Sequence, residues 1–268
     1  MLPALDHGVT RTSLLGAQFD QVDMPQTLAL AKQAMSGRQR LQHSDVNVAK
    51  IVQMASDPRL RTDVIESDLI CVDGMGVKWA CELLGVPVAG RVTGADLMMQ
   101  TFDLCEKEGF RPFLFGARQD VLDAMITVLG QSHPNLQIAG SRNGYFKQDD
   151  EAEIVAQIQA SGADCLFVGI TSPIKERFLR KYRDALDVPF LVGVGGSFDV
   201  AAGKVRRAPP FIQKIGMEWL FRVIQEPRRL FWRYFKTNLA FAGMVGRAML
   251  RRDHQNKPAE STERGSET

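Results

Sequence analysis

The chain predicts an α/β fold: a Rossmann-like, mostly parallel sheet flanked by helices, followed by a helical basic and aromatic C-terminal appendage. Three observations carry this. Short apolar runs alternate with helical periodicity between residues 24 and 203. The runs are near-continuously hydrophobic, as strands covered on both faces must be. After Gly203 the composition turns to Arg, Trp and Phe.

In chain order, residues 1–23 carry little pattern and read as a loose lead-in. Pro25 opens a helix to about Met35, at a helix start where its missing N–H costs nothing. Val46 to Ala55 reads as helix. Asp68 to Val72 is a short apolar strand ending at Asp73-Gly74. Helices follow over about 76–84 and 95–108. Arg111 to Phe115 is a strand ending at Gly116, and Asp120 to Leu129 a helix. Leu136 to Gly140 is a strand before the Asn143-Gly144 turn. Asp150 to Ala160 is helical, Cys165 to Val168 a strand, and Ile174 to Ala185 a helix. Phe190 to Val194 is a strand that runs into Gly195-Gly196.

Residues 24–203 therefore form an α/β core and 204–252 an appendage. In the appendage, Ile212 to Gln225 reads as one helix and Pro227 to about Arg252 as another. Glu226-Pro227 breaks them, because proline disfavours helix in the residue before it. The polar tail 253–268 reads as disordered.

Composition excludes several classes. The 268 residues are 45% hydrophobic and 24% charged, as in ordinary globular proteins. The longest mostly apolar stretch, Asn238 to Leu250, is interrupted by Arg247 and falls short of the roughly 20 residues of a spanning helix. No basic-then-apolar leader opens the chain, so export is not expected. Cys71, Cys81, Cys105 and Cys165 form no Cys-x-x-Cys pair and read as buried thiols. The four histidines lack metal-ligand spacing.

Charge is distributed unevenly. Residues 204–252 hold 12 Lys/Arg against two acids, a net of +10, while residues 1–203 carry a net of −6. A basic segment on an acidic body fits an anionic partner. Wound at 3.6 residues per turn, 228–252 places Arg229, Arg233, Lys236, Arg247 and Arg251 in a stripe about 60° wide. A broad apolar face lies beside it. That pattern favours an anionic membrane surface over nucleic acid, and over a helix docked entirely on the body.

In parallel sheets ligands bind beyond the carboxyl ends of the strands. Asp73 stands at such an end, where a carboxylate serves either as a general base or as a helix N-cap. Arg91-Val92-Thr93-Gly94-Ala95-Asp96 is either a phosphate clamp or a surface loop capped by Thr93 or Asp96. Gly193 to Asp199 is a Gly-rich turn that can cradle part of a nucleotide, with Asp199 accepting from base or ribose. It lacks the dinucleotide spacing and is weak alone. In Ser172-Pro173-Ile174-Lys175-Glu176, Lys175 either neutralises phosphate or merely decorates a helix start. No Asp-x-Asp, Gly-x-Ser-x-Gly or Gly-x-x-x-x-Gly-Lys-Ser/Thr occurs.

Taken in order, these motifs resemble the TagA/WecG/CpsF family of bacterial glycosyltransferases (glycosyltransferase family 26). The resemblance covers about Gln39 to Arg233. It rests on Asp73-Gly74-Met75-Gly76-Val77, Arg91 to Leu97, Gly144-Tyr145-Phe146, Ser172 to Glu176 and Gly193 to Asp199. Arg207-Ala208-Pro209 follows, with Gly216 to Arg222 and Glu226-Pro227-Arg228-Arg229.

The resemblance implies inverting transfer, with no metal and no other cofactor, from a UDP-sugar donor to a polyprenyl-diphosphate-linked sugar. It places the enzyme peripherally at the cytoplasmic face of the inner membrane, in exopolysaccharide or related glycan assembly. By the same resemblance Asp73 is the base. Asn47 and Arg91 are pocket residues, and Tyr145 and Asp199 lie near the nucleotide. Arg222 and Arg229 suit the diphosphates. Thr93, Gly94, Gly116, Lys175, Glu176 and Arg207 complete the expected substrate-binding set. Two positions depart from the family pattern: Asp45 stands where Thr is common, and Lys175 where Gln is common. Both bear on which sugars are used. The alternative class is a non-catalytic nucleotide-binding scaffold at the membrane. An exposed apolar appendage also favours homo-oligomers away from membrane.

Overall fold

A computed structural model describes residues 1–255. It opens with a hairpin of β1 (Arg11–Leu14) and β2 (Ala17–Asp20), then α1 (Met24–Gly37). Next come β3 (Leu41–Val46), α2 (Val48–Ser56), α3 (Pro58–Ile65), β4 (Leu69–Val72), α4 (Met75–Leu84) and α5 (Gly94–Glu108). They are followed by β5 (Pro112–Gly116), α6 (Gln119–Ser132), β6 (Gly140–Arg142), α7 (Glu151–Ala160), β7 (Cys165–Gly169) and α8 (Ile174–Tyr182). The chain ends in β8 (Phe190–Gly193), α9 (Ser197–Ala201), α10 (Pro210–Lys214), α11 (Glu218–Gln225) and α12 (Pro227–Gln255).

Six strands form one sheet in the order β4-β3-β8-β7-β5-β6, and every pairing is parallel. Alternate residues of β7 show why its sequence is continuously apolar. Cys165 and Phe167 enter a core with Phe102 and Phe198 on one face. Leu166 and Val168 enter another with Phe178 and Leu191 on the opposite face. Rossmann-like α/β architecture is what the alternation of runs predicts.

Five expectations need correction. Residues 11–20 are no loose lead-in. Leu15 and Gly16 turn with φ 50° and 82°, the doubly left-handed geometry of a two-residue hairpin. Phe19 is fully buried, and Asp20 accepts from the Ile70 backbone N–H at 2.8 Å, tying the hairpin to β4. Leu-Gly is not the usual Asn-Gly signal, so the turn is not legible in the sequence.

The second correction is β3. Leu-Gln-His-Ser-Asp-Val reads as polar, and the expected helix began at Val46. In fact all six residues are buried in an inner strand, and α2 starts at Val48 behind an Asn47 cap. Part of the polar set finds partners: the Gln42 backbone N–H donates to Asp68 at 2.8 Å and the Gln42 amide to Ser67 at 3.2 Å, while Gln42 Oε1 and both His43 ring nitrogens are buried without a hydrogen bond among the described residues. Third, the strand expected over Leu136 to Gly140 lies later, at Gly140–Arg142.

Fourth, the appendage helix expected over 212–225 is two helices, α10 and α11. Gly216 (φ 71°) breaks them, and a Cβ there would lie 2.5 Å from the Met75 Cβ, so the chain passes hard against α4. Fifth, α12 runs past Arg252 to Gln255, so the expected disordered tail does not begin at 253. Residues 256–268 lie outside the described residues. Leu230, Phe241 and Val245 of α12 are buried, the last two in a core with Ile51 and Met54. No described helix is long and apolar enough to cross a membrane.

Candidate active site

The carboxyl ends of β3, β4 and β8 and the helices α11 and α12 enclose a cleft of about 1060 Å³. Asn47, Asp73, Thr93, Gly94 and Lys175 line it from the core, and Arg207 and Arg222 from the appendage. Parallel strands place these residues together because every strand ends on the same side of the sheet.

Asp73 follows β4, and its backbone N–H donates to Val46 O at 2.8 Å, holding the turn against β3. It is not the cap of α4. Gly74 is, with no side-chain hydrogen bond. Among the described residues no hydrogen bond engages the Asp73 carboxylate. The side chain sits at the cleft floor, where solvent still reaches it. Burial, then the Asp45 carboxylate, push its pKa up to about 7, although the Arg91 guanidinium opposes the rise. A carboxyl poised near neutrality can hold or release a proton at working pH.

Three expected residues are committed to structure. Thr93 caps α5: its Oγ accepts from the Asp96 N–H at 3.2 Å and donates to the Asp96 carboxylate at 2.6 Å. Asp96 also braces the cleft-lining Arg207, at 2.6 Å. Asn47 caps α2, accepting from the Lys50 N–H at 3.0 Å, and its amide donates to Asp45 at 3.2 Å. Arg91 stands outside the lining and pairs with Glu218 of α11 at 2.9 Å, clamping the appendage to the core.

A buried charge cluster lies in the cleft wall, with Asp45, Lys50 and Lys175 in the lining and Glu176 behind them. Lys50 Nζ is 2.9 Å from both Asp45 and Glu176, and Lys175 Nζ is 3.2 Å from Asp45 and donates to Gly193 O at 2.9 Å. Burial opposes charge on Asp45 and Glu176, but the two ammonium groups win and hold both carboxyls below their ordinary range. The Lys50 ammonium is likewise held protonated by Asp45 and Glu176 against desolvation. Two cations and two anions balance. His43, on the same face of β3, is pushed by burial down to about 4 and stays neutral. The structure therefore places Glu176 in this cluster and not on the cleft, contrary to its expected substrate contact. Asp45 and Lys175, the two departures from the family pattern, touch each other.

Gly116, Tyr145 and Asp199 stand apart from the main cleft, by the ends of β5 and β7. There the connection after β5 runs outward to β6 and that after β7 runs inward to β8. This reversal is where open α/β sheets bind ligands. Gly116 has φ 144°, and a Cβ would lie 2.5 Å from the Gly169 backbone, so the strand mouth admits only glycine. The Tyr145 ring is 73% exposed and free to stack. Asp199, in the first turn of α9, and Tyr145 both act electrostatically on Arg118, which hydrogen-bonds Asp120 at 2.8 Å. The Gly195-Gly196 turn lines the main cleft and leads into α9, joining the two regions. Arg229 lies in α12, and its side chain is outside those described.

Sequence reasoning missed Lys50, Glu218 and Arg118, and it placed Arg233 in the basic stripe of the appendage and not on the cleft. Only Arg118, two residues after a strand-terminal glycine, carried a positional signal. The others enter through tertiary packing.

A parallel sheet with its polar cleft beyond the strand ends is the architecture of an α/β protein that binds its ligand at that edge. Residues 12–255 match the model of the glycosyl transferase WecG/TagA/CpsF family, and the chain belongs to that family. It is a glycosyltransferase. It is similar to an N-acetylglucosaminyldiphosphoundecaprenol N-acetyl-beta-D-mannosaminyltransferase of Bacillus spizizenii, 36% identical over 177 residues, 66% of this chain and 67% of the relative. It also resembles the Bacillus subtilis protein of the same description, 33% identical over 168 residues, 62% of this chain and 65% of the relative.

Proposed function

We propose that this enzyme transfers a hexose or N-acetylhexosamine from a UDP-sugar to a sugar linked through diphosphate to undecaprenol. The observation that carries the reading is Asp73: an unpartnered carboxylate at the cleft floor, held near neutrality, in a cleft that arginines also line. The relatives' descriptions supply the acceptor class, and N-acetylmannosamine as the first sugar to test.

The chemistry follows from these groups. Asp73 takes the proton from an acceptor hydroxyl as its oxygen attacks the donor's anomeric carbon. The bond from that carbon to the nucleoside diphosphate breaks in the same step, and a single in-line displacement inverts the centre. Arg207 and Arg222 line the same cleft and supply positive charge for the leaving diphosphate, a role a metal plays elsewhere. Tyr145, Asp199 and the Gly195-Gly196 turn offer the nucleotide a shelf at the β5/β7 reversal.

Membrane contact belongs to the same proposal. Trp232 (63% exposed), Phe235 and Leu239 lie on one side of α12, and Phe231 stacks on Phe235 at 6.2 Å. Beside the basic stripe they form a face suited to an anionic leaflet at the cytoplasmic side of the membrane.

The test is UDP release from a panel of UDP-sugars with a polyprenyl-diphosphate-linked N-acetylglucosamine, in EDTA, for wild type and Asp73→Asn. Acceptor-dependent release with one donor, lost in the variant, is expected. A folded, membrane-binding protein that releases no UDP with any donor or acceptor would favour the scaffold reading.

A further inference from the structure

The cleft is chemically divided, and the proposed reaction uses only one end. Asp73 and the arginines occupy the polar end. The other end is walled by Val48 of α2, Trp79 and Leu83 of α4, and Phe241, Val245 and Met249 of α12. Leu83 is 56% exposed and Trp79 44%, so large apolar side chains face an uncovered channel. Phe241, Val245 and Met249 recur every four residues along one side of α12. From Arg233, which lines the cleft, to Met249 is about 24 Å of helix.

We propose that this apolar channel holds the first isoprene units of the acceptor's polyprenyl chain. The inference rests on the transferase reading and extends it to a part of the substrate that no residue has yet been given. Its basis is the order of chemistry along one continuous cleft. A carboxylate suits the sugar hydroxyl, arginines suit the diphosphate, and apolar walls suit the lipid that must follow it. A polyprenyl-diphosphate sugar presents those three chemistries in that sequence. The channel is separate from the exposed Trp232, Phe235 and Leu239 face, which docks on the bilayer surface. α12 thus has two apolar aspects with two tasks: one meets the membrane, the other receives a chain drawn from it. The width of the apolar face in the sequence follows from this double use.

Farnesyl diphosphate, a short soluble mimic, tests the channel by calorimetry without any turnover. Wild type should bind it about tenfold or more tighter than inorganic diphosphate, because burying alkyl surface adds to the phosphate contacts. Leu83→Gln combined with Met249→Gln should remove that gain and leave inorganic diphosphate binding within about twofold. Both side chains are partly solvent-exposed, so the fold should tolerate the change, and thermal melts check this. Leu250→Gln, on the neighbouring residue outside the channel, should retain the gain. Equal binding of farnesyl and inorganic diphosphate by wild type would overturn the proposal. So would a gain that survives the double substitution, since the chain would then lie elsewhere, or a gain lost equally in Leu250→Gln. The two readings fail separately. Absence of UDP release from every donor counts against the transferase, whereas transfer whose kcat/KM is indifferent to chain length counts against the channel alone.

Discussion

Replacing Asp73 by Asn should make the protein less active and more stable, with a pH dependence that identifies the cause. The fold holds this carboxyl at about 7 in place of its ordinary 3.8. The folded state therefore binds a proton there more tightly than the unfolded chain does. Wild-type stability from this site is fully present below about 3.8, declines as pH rises, and levels off above about 7. That interval spans about three pH units, which at about 1.4 kcal/mol each sets a ceiling of about 4 kcal/mol. Solvent reaches the cleft floor, and screening reduces the figure to about 1–2 kcal/mol. Asn is neutral at every pH and escapes the cost. In urea melts, Asp73→Asn should exceed wild type by about 1–2 kcal/mol at pH 8, and the advantage should shrink toward zero near pH 4. Transfer should fall about 10²–10⁴-fold, as for loss of a general base. Wild-type kcat/KM should fall tenfold per pH unit below about 6, with an apparent pKa near 7. An advantage that is the same at every pH, or an acid limb in the ordinary carboxylate range, would refute the reasoning.

Three further outcomes are expected. Lys50→Met leaves Asp45 and Glu176 with only Lys175, and should cost about 3–5 kcal/mol in a denaturant melt. Adding Glu176→Leu should recover part of that loss, because it removes the stranded charge. Gly116→Ala drives a Cβ into the Gly169 backbone at a left-handed φ and should cost about 1–3 kcal/mol, with a raised KM for the nucleotide sugar. Trp232→Ser, Phe235→Ser and Leu239→Ser together should weaken co-sedimentation with anionic vesicles while leaving the thermal melt unchanged, since all three side chains are exposed.

Sequence alone determined the class of fold and which residues stand at the strand ends. β4, β5, β7 and β8 were legible because a strand covered on both faces must be apolar throughout, and a short apolar run ending in glycine has few other readings. Asp73, at the end of such a run, was placed on the cleft by topology alone, before any contact was known. Family membership was legible for a different reason: ordered motifs survive in the residues themselves. What the tertiary structure decided was everything that depends on a distant partner. β3 is a strand despite its polar residues, with Ser67 and Asp68 holding Gln42 and with Lys50 and Lys175 holding Asp45, and those partners lie on other elements. Glu176 and Lys175 are neighbours in sequence, yet only Lys175 reaches the cleft, because α8 turns Glu176 into the ion cluster behind it. Arg91 reads as either a ligand clamp or a loop residue, and its pairing with Glu218, 127 residues away, appears only in the tertiary structure. Local periodicity records which side of an element is buried. It does not record what each buried group meets, and a site's electrostatics are set by those meetings.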